Sequence, residues 1–399
     1  MRRLFMYELK KLVCRRMVWI SLTISLLLCL ITVCAPLIGS YYVNGEKISS
    51  NYEQFQIDKA YQEALDGRVI DEVLIGEMQE AYAQVSMGEE QYSLTEEYQK
   101  YARPYSAIFN YMRSATGLSG EEVIQWVANM DNLHEQRLKS QEKRWECLGL
   151  TEKEKAYWRT QEAKLEQPVI FRYMGGYSVL ISAVYTVGTV SIFVVSVCLA
   201  GTFAEEHARR TDQLLLCSRC GKKEVFWAKV CAGFFLAFGL ALAMVAVTMV
   251  SALCVYGAGG FDANFQLEYS ASSCPISIGE AVVIAYGMVL FATAFMGAFV
   301  MMLSEVLRNG VKVLAIAVGV IILPMFVTMP EEYRVLSQIW SYMPGDFVAV
   351  WSCFSPQTVA LGDVVLQAWQ FVPILYTLLN SVFVLVCMQA YKKYQISGR

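Results

Sequence analysis

The sequence predicts an all-α, polytopic membrane protein with six transmembrane helices and a helical domain inserted after the first. Three observations carry that expectation. The 399 residues are 56% hydrophobic and only 17% charged, outside the range of an ordinary soluble domain. The apolar residues gather in runs of roughly 20, the length that crosses a bilayer. Behind a net charge of −3 the charges are segregated, acidic residues collecting between about 41 and 172 and basic residues standing at the ends of apolar runs.

Residues 1–16, MRRLFMYELKKLVCRR, set Leu4, Leu9 and Leu12 among Arg2, Arg3, Lys10, Lys11, Arg15 and Arg16. This pattern predicts an amphipathic helix lying along the cytoplasmic membrane surface. Residues 17–39 carry no charge and are long enough for the first span. They exceed the roughly 7 to 15 apolar residues of a secretory leader, and Pro36 follows Val33-Cys34-Ala35, so an uncleaved anchor is expected.

Residues 40–176 form a polar segment large enough to be a domain, and its punctuation is helical. Gly67, Gly117 and Gly149 stand where helices would end, while Ser119-x-x-Glu122 and Thr151-x-x-Glu154 have the form of capping boxes. Val73, Leu74, Met78, Ala81, Tyr82 and Val85 recur at helical spacing and predict one buried face. Pro104 should kink or split its helix, and the charged stretch NLHEQRLKSQEKRWE reads as a solvated helical face. Five or six helices are expected. With Cys147 as its one cysteine, the segment has no internal disulfide framework.

Residues 177–399 hold the other five spans, at about 177–200, 230–256, 281–303, 311–329 and 366–390. Arg209, Arg210, Arg219, Lys222, Lys223 and Lys229 lie between the second and third, Arg308 and Lys312 between the fourth and fifth, and Lys392, Lys393 and Arg399 after the sixth. The opposing short loops contain only Arg334. By the positive-inside rule both termini and loop 203–229 face the cytoplasm, and the 40–176 domain is extracytoplasmic. The outer loop 256–275 is glycine-rich and reads as flexible. Trp340, Tyr342, Phe347, Trp351 and Phe354 in the next outer loop suit the headgroup level. Cys274 and Cys353 lie in these two loops, and a bridge between them is open.

Several chemistries are excluded. The spans carry no Asp, Glu, Lys, Arg or His well inside them, whereas ion-coupled carriers and intramembrane hydrolases depend on such groups. Histidine occurs only at 134 and 207, which rules out a multi-histidine metal centre. Cys217-x-x-Cys220 with His207 leaves the four-ligand zinc shell incomplete. Cys220-Gly221-Lys222-Lys223 lacks the earlier glycine of a phosphate loop, where Leu216 stands, and its final hydroxyl. ATP hydrolysis by that mechanism is excluded, so energy for active transport must enter from another subunit. No solvated segment is basic enough for nucleic acid.

The polar interruption at 203–229 has a more specific look. Phe203, Glu205 or Glu206, Thr211, Asp212, the Leu214-Leu215-Leu216 run, Ser218, Arg219, Lys222, Val225 and Lys229 resemble the first cytoplasmic loop of type 2 ABC-transporter permeases. The context agrees: a basic N-terminus with Glu8-Leu9-Lys10-Lys11, six helices, a C-terminus ending Tyr391-Lys392-Lys393-Tyr394, and a helical insertion after the first span, as in many Gram-positive members. Arg210 departs from the pattern, standing where the family often has glycine.

The resemblance implies a plasma-membrane exporter permease, not itself an enzyme. It would pair with a second permease copy or paralogue and with cytosolic ABC ATPase subunits that hold the ATP and magnesium. This chain would need no cofactor, metal or catalytic residue of its own. It also implies a coupling helix that docks on the ATPase, with Phe203, Glu205, Glu206, Arg210, Thr211, Leu214, Leu215, Arg219 and Lys229 as partner-binding residues. Leu214 to Leu216 would supply the apolar anchor, and Glu205, Glu206, Arg209, Arg210 and Arg219 a charged rim. Gly188, Gly233, Gly239, Gly287, Gly297, Gly319 and Pro324 suit close packing or bending of the spans. An alternative reading is a membrane sensor or resistance component whose outer domain binds a peptide antibiotic or envelope ligand.

Overall fold

The computed structural model describes residues 2–43, 46–85, 92–126, 130–209, 223–327, 329–330, 333–362 and 364–393. An amphipathic helix, α1 (Arg2–Val13), turns at Cys14–Arg15 into α2 (Arg16–Cys34). The bundle continues with α9 (Gly175–Leu199), α11 (Glu224–Tyr256), α12 (Ile278–Leu307), α13 (Gly310–Phe326) and α17 (Ala368–Lys393). Among the described residues, five helical stretches are long and apolar enough to cross a membrane; they contain α2, α9, α11, α12 and α17. The span expected at 311–329 is the short one. At 17 residues α13 measures about 25 Å against a hydrocarbon core of about 30 Å, and Pro324 lies in its last turn.

Helices α9, α11 and α12 form the centre of the bundle, closed by Val184, Val195, Ala237, Met244, Val289 and Met296, all buried. Helices α2 and α17 flank this centre and leave apolar faces uncovered, among them Ile24, Leu27, Leu378 and Leu385, a surface suited to lipid and not to water. Gly188 and Gly233 are packing glycines, since a Cβ would collide with Val348 and Met301 respectively, whereas Gly239, Gly287 and Gly319 face open space. Local signals set the helix starts. Ser277 and Glu280 close a capping box at α12, and Asn309 accepts hydrogen bonds from the Val311 and Lys312 amides at α13.

The inserted domain opens with an antiparallel hairpin, β1 (Ser40–Val43) and β2 (Glu46–Ser50), an element not expected from the sequence. Helices α3 (Asn51–Leu65), α4 (Glu72–Ala83), α5 (Ser106–Thr116), α6 (Gly120–Gln125), α7 (Met130–Cys147) and α8 (Glu152–Glu162) follow. Ser119 with Glu122 and Thr151 with Glu154 form reciprocal capping boxes, and Gly67, Gly117 and Gly149 take positive φ at helix ends. Around Pro104 the chain passes through a π-type turn (Tyr98–Ala102) and a 3-10 turn (Arg103–Tyr105) before α5 begins. On α4, Leu74, Met78, Ala81 and Tyr82 are buried, with Val85 just beyond its end, and Tyr82 stacks on Phe109 at 4.1 Å. Val73 is exposed and Ile75 takes its place. Five positions before Met78, Val73 is turned about 140° from it around the helix.

Three further expectations are corrected. Helix α7 is not merely solvated: Leu133, Arg137, Gln141 and Trp145, at four-residue spacing, are buried. Arg137 pairs with Glu162 at 2.5 Å and donates to the Ser270 and Ser272 carbonyls, both at 3.1 Å. Loop 257–277 is a packed piece, with Phe265, Gln266 and Cys274 buried. Of the aromatics expected at headgroup level, Tyr342, Phe347 and Phe354 point inward and only Trp351 is strongly exposed. They sit in a segment of α14 (Arg334–Ser341), α15 (Pro344–Phe347), α16 (Val350–Cys353) and the hairpin β3 (Val359–Leu361) with β4 (Val364–Leu366). Cys274 and Cys353 are free buried thiols, the former donating to Gln367 Oε1 at 3.2 Å. Helix α8 grips this segment as well. The Trp158 indole donates to the Pro356 carbonyl at 2.7 Å, and Glu154 accepts from Arg334 at 2.5 Å and from the Thr358 hydroxyl at 2.9 Å.

Candidate functional site

The interruption between α9 and α11 is built outward from a serine. After α9 ends, the Ser304 hydroxyl of α12 donates to the Ala200 carbonyl at 2.8 Å and accepts from the amides of Phe203 (3.1 Å) and Ala204 (3.0 Å). One side chain thereby satisfies a carbonyl and two amides where the helix stops, groups that a buried helix end would otherwise leave unpaired. Phe203 is inserted against Phe226 and Tyr391, with ring centroids 6.1 Å apart in each case. It is almost fully buried.

Helix α10 (Ala204–Arg209) then presents three ionisable groups in succession. Glu205 pairs with Arg15 at 3.1 Å. Glu206 turns inward and takes two ammonium groups, Lys11 of α1 and Lys229 of α11. His207 Nε2 lies 3.1 Å from Glu305 Oε2 of α12. Lys229 and Glu305 have no exposed surface, and Lys229 also lies 5.2 Å from the centre of the Phe203 ring. Such charges are tolerated in an interior only when paired, so the acid at 206 and the lysine at 229 depend on each other.

Of the loop residues expected to meet a partner, Phe203, Glu206 and Lys229 therefore lie inside the protein, where they hold the two ends of the loop together. Glu206, expected on a charged rim, is drawn in by its two cations. Glu205 remains half-exposed. Arg210, Thr211, Leu214, Leu215 and Arg219 lie outside the described residues, as do Leu216, Cys217 and Cys220. Among the described residues no group of three His, Cys, Asp or Glu side chains is placed to hold a metal ion.

Sequence reasoning missed the contribution of α1. Its Leu12 and Glu8 are buried, Phe5 meets Phe235 of α11 edge-on at 5.9 Å, and Lys11 and Arg15 reach α10. The available signal was Glu8, a lone acid in a basic helix, three residues before Lys11. Ser304 and Glu305 were missed as well, hidden by their place at the end of an apolar run.

The arrangement supplies a mechanical junction, at which α1, α10, α11 and α12 are bound by hydrogen bonds and ion pairs around one loop. No curated protein matches the chain. A family model described as ABC-2 family transporter protein matches residues 15–390, nearly the whole length, and the chain belongs to that family.

Proposed function

We propose that this chain is the membrane-spanning permease subunit of an ABC-type exporter, driven by ATP that a separate cytosolic ATPase hydrolyses. As a member of its family it is the membrane component of a transporter, crossing the plasma membrane several times. The observation that carries the finer reading is the junction at Glu206. Both ends of loop 203–229 are bound to each other and, through Ser304 and Glu305, to the bundle. A loop anchored in this way passes a displacement to α9, α11 and α12 together. In this mechanism Leu214, Leu215 and Leu216 dock on the ATPase, with Arg210, Thr211 and Arg219 beside them. ATP-driven closure then carries the loop, and the bundle, paired with a second permease copy or paralogue, alternates between inward-open and outward-open states. The inserted domain lies on the extracytoplasmic side.

The test is co-purification of the full chain, from its native membrane in mild detergent, with a cytosolic ABC ATPase. The double substitution Leu214→Asp, Leu215→Asp is expected to leave membrane insertion intact and abolish ATPase recovery. Wild-type chain recovered free of any ATPase under mild detergent, with export persisting without ATP, overturns the permease assignment and favours the sensor alternative.

A further inference from the structure

A groove of about 200 Å³ opens at the basic end of the bundle, beside the turn from α1 to α2. Leu9 and Val13 of α1, Trp19 and Leu22 of α2, and Phe235 and Gly239 of α11 line it. Gly239 is its cause: a Cβ there would meet nothing within 4 Å, so the α11 wall is hollow where another residue would fill it. Both aromatic walls are fixed. Phe235 meets Phe5 edge-on at 5.9 Å, and the Trp19 indole donates to the Val13 carbonyl at 2.9 Å. That carbonyl belongs to the last turn of α1, where the helix itself offers no donor. Trp19 and Phe235 nevertheless remain 56% and 60% exposed, so the groove is preformed, apolar and open along one side.

Its depth and its mouth have different chemistry. Gly239 lies ten positions beyond Lys229 on α11, about 15 Å along the helix, and the groove runs from the charged junction toward the hydrocarbon layer. The mouth is cationic. Lys11 and Arg15 are taken by Glu206 and Glu205, and Glu8, the one acid of α1, is buried. Lys10 and Arg16 are exposed, with no carboxylate at ion-pair distance among the described residues. Lys10 stands one turn before Val13 and Arg16 one turn before Trp19, and residues three apart are neighbours on a helix surface. Because the Trp19 indole is bonded to Val13, the two cations flank one spot.

We propose that this groove holds one anionic phospholipid, with an acyl chain against Gly239 between Trp19 and Phe235 and the phosphate at Lys10 and Arg16. A protein segment seated here would have to cover two cations without a counter-charge, which is costly. A lipid brings an apolar chain and a negative charge in the order the groove presents them. Its headgroup stands one residue from Lys11 and Arg15, which hold α10, and so braces the junction from the membrane side.

The test is native mass spectrometry of the full chain, delipidated in mild detergent and titrated with dioleoyl phosphatidylglycerol or with zwitterionic dioleoyl phosphatidylcholine. The first phosphatidylglycerol adduct is expected at roughly twentyfold lower lipid concentration than the first phosphatidylcholine adduct, each cation supplying about fivefold. Lys10→Gln and Arg16→Gln should each weaken phosphatidylglycerol by that factor and leave phosphatidylcholine unchanged. Gly239→Leu fills the groove and should weaken the tight adduct at least tenfold, roughly the value of an enclosed chain contact. Gly319→Leu, the same change at an open glycine of α13 outside the groove, should not. Equal binding of the two lipids, or a tight phosphatidylglycerol adduct surviving in Gly239→Leu, overturns the proposal. So does a Gly239→Leu that separates a dimer with lipid binding unchanged, which assigns the groove to a second copy of the chain. Should Gly239→Leu be unstable, the Lys10→Gln, Arg16→Gln double variant decides, since both side chains are exposed: it should lose the preference for phosphatidylglycerol, and keeping it overturns the proposal. No ATPase is present in the assay, so its outcome is independent of whether loop 203–229 recruits one.

Discussion

Glu206 and Lys229 meet inside the protein from opposite ends of the loop between α9 and α11, 23 positions apart in sequence. Removing one member of a buried pair leaves an uncompensated charge, at a cost of about 3–5 kcal/mol. Glu206 also pairs with Lys11, which is partly exposed and keeps Glu8 at 3.8 Å, so Glu206→Gln strands the fully buried Lys229, whereas Lys229→Met leaves Glu206 still paired with Lys11. Glu206→Gln is therefore expected to lower the unfolding temperature in detergent more than Lys229→Met does, and the double variant to recover part of the loss. A double variant no more stable than Glu206→Gln contradicts this coupling.

Arg137 ties the inserted domain to loop 257–277. Its substitution by Met removes the pair to Glu162 and the bonds to the Ser270 and Ser272 carbonyls together, and about 3–5 kcal/mol of local stability is expected to go with them. Hydrogen exchange should register this as faster exchange at the Phe265 amide, which is bonded to the Ile276 carbonyl. The α4 amides, in a separate core, should be little changed.

Glu154 makes the grip of α8 on the 334–358 segment sensitive to acid. Burial acts to raise its carboxyl pKa, but bonds from Arg334, Thr151 and Thr358 outweigh it and hold the group below the ordinary carboxylate value. With the folded pKa below the unfolded one, its contribution is complete above the unfolded value and is lost as pH falls through the folded value. Proteolytic protection of 334–358 should fall on acidification through that window in the wild type. In Glu154→Gln protection should be lower at neutral pH and nearly flat across the same window.

Two glycines of the bundle make opposite predictions. A Cβ on Gly345 of α15 would collide with the Ile321 carbonyl of α13, so Gly345→Ala is expected to destabilise by about 1–3 kcal/mol. Gly319 of α13 has nothing within 4 Å of such a Cβ, so Gly319→Ala should be neutral or stabilising by up to about 1 kcal/mol. Thermal unfolding of the two variants side by side checks both.

The spans and caps were legible because their causes are local. A run of apolar residues marks a span, and Ser119 with Glu122 or Thr151 with Glu154 marks a helix start within four residues. Helix ends were less legible. The third span, expected from about 230, begins at Glu224, and the fourth, expected to 303, runs to Leu307. Hydropathy stops at Lys229 and Glu305, whereas the helices continue because Glu206 and His207 meet those charges. The junction shares this obscurity. Lys11 and Glu206 are far apart in sequence, and no spacing rule links them. The inward packing of Phe347 and Phe354 was hidden for the same reason, since an aromatic suits a headgroup layer and a core equally well.

The bond between Lys11 and Glu206 also sets an order of events during synthesis. These residues are 195 positions apart, so at ribosomal rates of 5–20 residues per second Lys11 emerges roughly 10 to 40 s before its partner. Throughout that interval α1 has neither Glu206 nor the α11 surface to rest on, and its basic face is left to the anionic lipid surface. Its docking is a late event in biogenesis, and a chain truncated before residue 206 would keep this helix as a peripheral passenger of the membrane.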